Sequence, residues 1–120
     1  MTSVSFGKGI ASISEATFYD CDALTSATIE KGTIGAWAFR NCRTLNSITL
    51  GEDVFKIDEK SFVNTSINTC YCYSTIPPSI GSYAFYNAVK DDAKLYVPAR
   101  CVSIYKQFWG EYFKIIIEMD

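Results

Sequence analysis

The sequence predicts a repeat solenoid: a parallel β-sheet on one face, short helical or 3₁₀ turns on the other, and a helix-plus-strand cap at the C-terminal end. Three features point to it. One residue pattern recurs in four segments of the 120-residue chain. Each segment lies next to a short stretch that alternates apolar and polar residues. Beyond Pro98 both patterns stop and a helical periodicity takes over.

The recurring segments are Ile13 to Cys21, Ile34 to Cys42, Ile57 to Thr65 and Ile80 to Ala88. Each reads Ile, four residues, Phe, one residue, then Asp or Asn. Phe18, Phe39, Phe62 and Phe85 are separated by 21, 23 and 23 residues. The residue before each Phe is small: Thr17, Ala38, Ser61 and Ala84. A unit this short cannot bury its own apolar face, whereas stacked copies can. The small residue is expected to let neighbouring coils approach closely.

The alternating stretches are the strands. Leu24 to Ile29, Leu45 to Leu50, Ile67 to Cys72 and Lys94 to Val97 each alternate polar and apolar over their last four residues, and Val4 to Phe6 resembles the tail of an earlier copy. That is the period of a strand with one buried face. Gly7, Gly32, Gly51, Pro77-Pro78 and Pro98 follow as chain breaks. Stacking in register then predicts inward columns: Ala27, Ile48, Cys70 and Leu95 in one, Ile29, Leu50, Cys72 and Val97 in the next.

After Pro98 the spacing of Val102, Tyr105 and Trp109 predicts a helix, stopped at Gly110, with a last strand through Ile115-Ile116-Ile117. Residues 1–98 are therefore assigned to about four stacked coils, the first one partial, and residues 99–120 to a cap over the open core.

Composition narrows the chemistry. Thirteen acidic and eleven basic side chains give a net charge of −2, so no basic field attracts nucleic acid. With no histidine there is no Ser-His-Asp or Cys-His pair and no imidazole metal site. No apolar run reaches the length of a membrane-spanning helix, and no signal peptide opens the chain. On composition, carboxylate and thiolate chemistry stay open; no catalytic residue, cofactor or metal is singled out. Five cysteines cannot all pair within one chain, so at least one thiol is free or bonded to another molecule.

Ile34-Gly35-Ala36-Trp37-Ala38-Phe39-Arg40-Asn41-Cys42-Arg43-Thr44-Leu45 resembles the BspA-like leucine-rich repeats at every named position of that pattern. Leu95-Tyr96-Val97-Pro98, Tyr105-Lys106 and Phe113 to Glu118 are similar to the family's usual carboxyl end. Thr65 and Ala88 depart from it, standing where the pattern has cysteine. The resemblance implies a leucine-rich-repeat-like fold in a cell-surface or secreted protein, typically bacterial, of a type that includes adhesins for host matrix proteins. It implies no catalytic residues.

Several side chains invite a functional role and a structural one competes in each case. Cys70 and Cys72 alternate inward, where they replace core aliphatics. Cys21 and Cys42 occupy equivalent positions and are expected as free buried thiols, with Cys101 the exposed or intermolecular one. Asp20, Asn41, Asn64 and Asn87 recur at one register, which suits the capping of a turn through backbone N–H groups. The outward tyrosines are the better signal. Tyr71, Tyr73 and Tyr96, with Thr49 and Thr28, form a candidate partner-binding patch on the sheet face. Trp37, Tyr83, Tyr19 and Tyr86 form a second, beside the Phe column.

The expected function is thus a non-enzymatic protein-interaction or adhesion module that binds a protein or glycoprotein ligand, such as host matrix, through its sheet face. The alternative is a purely structural cap and spacer of a longer array. Five strands at a spacing of about 4.8 Å make a face about 19 Å long, small beside the roughly 800 Å² that each partner buries in a standard interface. Together with a chain that opens in mid-repeat, this points to a piece of a longer solenoid, or to a dimer through the open N-terminal end.

Overall fold

A computed structural model describes residues 3–6, 12–13, 18 and 20–119 of the chain. The elements in order are β1 (Ser3–Phe6), β2 (Ser12–Ile13), β3 (Ser26–Ile34), β4 (Ser47–Ile57), β5 (Ile67–Cys72), β6 (Ser79–Ile80), β7 (Val89–Val97), α1 (Val102–Trp109) and β8 (Ile115–Glu118). The sheet runs β1-β3-β4-β5-β7-β8, every neighbour parallel, with β2 added on β3 and β6 on β4. The chain is a β-solenoid closed by one helix and a final strand.

Register explains why the repeat folds this way. Ala27 pairs with Ile48, Ile48 with Cys70 and Cys70 with Leu95, while Ile29 pairs with Leu50 and Leu50 with Cys72. All of these are buried. The columns also run further than the four coils. Val4 stands beside Ala27, and Ile116 beside Leu95. The last strand therefore lengthens the sheet to six strands along its main path, about 24 Å at the usual spacing.

Two strands are longer than the alternating stretches. β3 continues through Gly32 and β4 through Gly51, because register shifts between Ile29 and Lys31 and between Gly32 and Thr33 let the chain bend without leaving the ladder. Gly32 takes φ 91° at that bend. Gly51 is required for another reason: a Cβ there would lie 2.3 Å from the Glu30 carbonyl oxygen of the neighbouring coil.

Around Phe39 and Phe62 the chain makes consecutive i→i+3 turns, as in Ala38 N–H to Gly35 C=O at 3.2 Å and Cys42 N–H to Phe39 C=O at 3.2 Å. The third residue of these turns has a left-handed backbone: Trp37, Lys60 and Tyr83 in one set, Asp20, Asn41, Asn64 and Asn87 in the other. The turns also hydrogen-bond from coil to coil. Phe18 N–H donates to Ala38 C=O, Phe39 N–H to Ser61 C=O, and Phe62 N–H to Ala84 C=O, at 2.8 to 2.9 Å. Ala38, Ser61 and Ala84 are buried at that contact. The Ser61 hydroxyl is satisfied there by the Asp58 carbonyl at 2.6 Å. Thr17 lies outside the described residues.

Two expectations need correction. Among the described residues, the Asn41, Asn64 and Asn87 side chains bond one another rather than backbone N–H groups. Asn87 Nδ2 donates to Asn64 Oδ1 at 2.9 Å, and Asn64 Nδ2 to Asn41 Oδ1 at 2.8 Å, so the amides form a ladder along the solenoid. The residue type is selected because Asn and Asp tolerate positive φ, and stacking then aligns donor with acceptor. Cys101 is not an exposed thiol. It is buried just before α1, because the helix packs that end against the coils.

Candidate functional site

On the sheet face, alternation and register act together. Thr28 pairs with Thr49, Thr49 with Tyr71 and Tyr71 with Tyr96, which puts four of the singled-out residues in one outward column. Ile117 continues it on β8. The Tyr71 and Tyr96 rings stack with centroids 4.8 Å apart and planes 15° from parallel. Strand spacing forces this arrangement, since like side chains at one register stand one strand apart. Tyr73 follows β5, held by its N–H to Leu50 C=O at 2.9 Å, and is 48% exposed. It borders a hollow of about 300 Å³ that also involves Glu30, Thr49, Gly51 and Glu52.

The second set lies on the turn side. Trp37 and Tyr83 occupy equivalent positions of coils two apart, and Lys60 stands between them; Trp37 N–H donates to Glu59 C=O and Lys60 N–H to Ser82 C=O. The Arg40 guanidinium lies 5.5 Å from the Trp37 ring centroid and the Lys60 ammonium 5.9 Å. Tyr83 and Tyr86 are both more than half exposed and meet edge to face at 5.6 Å. Tyr19 lies outside the described residues. Nothing in the sequence pattern alone singled out Arg40 or Lys60. The available signal was that Lys60 shares its register with Trp37 and Tyr83.

The cysteines are placed for packing. Cys42, Cys70 and Cys72 are buried, and Cys21 is half-buried; all are free thiols. Burial pushes the Cys42 thiol up to about 11, opposed in part by a hydrogen bond from the Cys21 backbone and reinforced by the nearby charges of Asp20 and Asp22. Burial likewise raises Cys70 and Cys72. A nucleophilic thiol needs the opposite shift. The Cys42 thiol donates to Phe18 C=O at 2.9 Å. Cys72 Sγ is 3.1 Å from the Tyr105 hydroxyl, which gives its proton to Ser74 C=O at 2.7 Å, so the thiol is the donor of that pair.

One feature escaped the sequence reading. An apolar cleft of about 530 Å³ opens between the segment Ile76-Pro77-Pro78 and α1, bordered by Ile104, Phe108, Trp109 and Tyr112. In the sequence the two prolines read as a chain break. Trp109 fixes that segment to the helix through Nε1–H to Pro78 C=O at 3.1 Å.

Against known proteins, a family model described as BspA type leucine rich repeat region matches residues 1–111, in six copies. No match to the chain is found among curated proteins.

Proposed function

The chain belongs to the BspA-type leucine-rich repeat family, and from that premise we propose that it is a non-enzymatic adhesion module which binds a protein or glycoprotein partner through its sheet face. Leucine-rich repeat domains generally bind proteins, and this family is generally non-enzymatic and typically surface-exposed or secreted. A bacterial surface protein that attaches to host matrix fits the chemistry offered here.

The observation that carries the proposal is the Tyr71–Tyr96 stack with Tyr73 beside it. The same column holds threonine in the two preceding coils. Two aromatic rings locked against each other lose little conformational freedom on binding and offer a large contact area. A pulldown against immobilised matrix and mucosal proteins tests it. The double variant Tyr71→Ala, Tyr96→Ala should remain folded and lose capture. Capture unchanged from wild type would sink the sheet-face site.

A second reading, a structural cap and spacer of a longer array, is favoured by the cap itself: Trp109, Tyr112 and Phe113 close over the outer face of Phe85. Under that reading the double variant binds as wild type, and Trp109→Ala loosens whatever array precedes it.

A further inference from the structure

β8 is the last strand on the main path of the sheet, and among the described residues no strand pairs with its outer edge. One bond fixes the direction of its backbone groups. Met119 N–H donates to Val97 C=O at 2.7 Å, so Met119 faces β7, and by alternation Ile117 and Ile115 face it too. Ile116 and Glu118 therefore turn their N–H and C=O groups to the open edge. Such an edge is a template for a further strand. Ile116 is only half-buried there, whereas Ile48, Cys70 and Leu95 of the same column are buried.

The charges around the isoleucines select the occupant. The run is Lys114-Ile115-Ile116-Ile117-Glu118, with an exposed cation at one end and an exposed anion at the other. Read backwards, it is its own complement. An antiparallel copy centred on Ile116 sets Ile116 against Ile116, Ile115 against Ile117 and Lys114 against Glu118 on both sides. Opposite charges directly across two strands stabilise the pair, and like charges destabilise it. A parallel copy in the same register sets Lys114 against Lys114 and Glu118 against Glu118. The backbone agrees with the antiparallel choice, since the residue on the axis carries the outward N–H and C=O groups that a hydrogen-bonded pair exchanges. Glu118 Oε1 accepts from Arg100 N–H at 2.9 Å. That bond orients the carboxylate and uses one of its roughly four acceptor positions, which leaves room for the facing lysine.

We propose that β8 joins two copies of the chain edge to edge and antiparallel, about a two-fold axis that passes between the two Ile116 residues. This is the opposite end of the sheet from β1. An isologous contact closes on itself and forms no fibre. The axis is normal to the sheet, so both Tyr71–Tyr96 stacks lie on the same side of one continuous sheet. The dimer then offers two sheet faces to one partner surface, and the second engagement is intramolecular. The contact uses neither tyrosine and stands without the sheet-face reading.

Sedimentation equilibrium of the full chain tests it, together with amide hydrogen exchange at low and high concentration. Two short strands bury less than a standard interface, so a weak, concentration-dependent dimer is expected. The Ile116 and Glu118 amides should gain protection as it forms, while Ile115 and Ile117, already turned to β7, change little. Lys114→Glu should weaken association about tenfold, because like charges then face each other twice. The double variant Lys114→Glu, Glu118→Lys restores opposite signs and should recover the dimer. Tyr71→Ala, Tyr96→Ala should leave association unchanged, which separates this contact from the sheet-face site. A chain still monomeric at about 1 mM overturns the proposal. So does protection gained at β1 in place of β8, or a double variant that associates no better than Lys114→Glu alone.

Discussion

Phe18, Phe39, Phe62 and Phe85 meet ring on ring, with centroids 5.2 to 5.5 Å apart and planes within 5° of parallel. The cap meets the same column quite differently: Trp109, Tyr112 and Phe113 approach Phe85 at 57°, 47° and 77°. The coils are built by translation, so each Phe faces another Phe one coil away and the rings come out parallel. Translation supplies no end, and the last ring would leave a face in water. Unlike shapes are needed to close it, and edges and tilted planes fill an irregular space better than a further parallel ring.

The largest expected effect comes from removing a ring on either side of that boundary. Phe62→Ala breaks two stacks at once and Trp109→Ala opens the cap, each at a cost of about 3–5 kcal/mol by denaturant unfolding. Hydrogen exchange distinguishes them. Phe62→Ala should lose protection in the coils on both sides, and Trp109→Ala only around Phe85 and β8. Equal loss along the whole chain for Trp109→Ala would show that cap and coils unfold as one unit. Next comes Gly51→Ala, whose Cβ meets the Glu30 carbonyl of the adjacent coil. It should cost up to about 3 kcal/mol as overpacking between translated backbones, with a lower denaturation midpoint as the measure.

A smaller effect is expected in the amide ladder. Asn64→Gly keeps the left-handed backbone but removes both ladder bonds, for about 1 kcal/mol net. A loss beyond about 3 kcal/mol would mean that the ladder does more than align the coils. The last is alkaline. The folded Cys42 thiol holds its proton to about pH 11 while the unfolded thiol releases it near 9, so the folded state binds more protons in that window. Its contribution is fully present below pH 9 and fades as pH rises to 11. Melting temperature should fall across that range, and Cys42→Ala should flatten part of the slope.

How much of this was legible in the sequence depends on whether a contact is made between equivalent positions. The Phe column, the inward Ala27 and Leu50 columns and the Tyr71–Tyr96 neighbours could all be written down from alignment, because stacking converts sequence register into spatial contact. Cys101 was misjudged because its burial depends on how α1 docks, and no repeat informs that. The Asn positions were found, but their partners were misassigned: a local turn and a ladder both call for Asn at one register, and only the packed coils put amide against amide. Gly51 looked like a break and is instead a point of close approach between backbones.

By itself, then, the sequence determined the period, the face of each strand and the residue types of every column. These follow from local alternation and from a unit that can bury its apolar face only against a copy of itself. Tertiary structure alone decided what happens where neighbours differ: the tilted aromatic closure over Phe85, the cleft under Pro77-Pro78, and the two cations against Trp37. Contacts between unlike residues far apart in sequence leave no periodic trace, so they become visible only once the coils have been stacked.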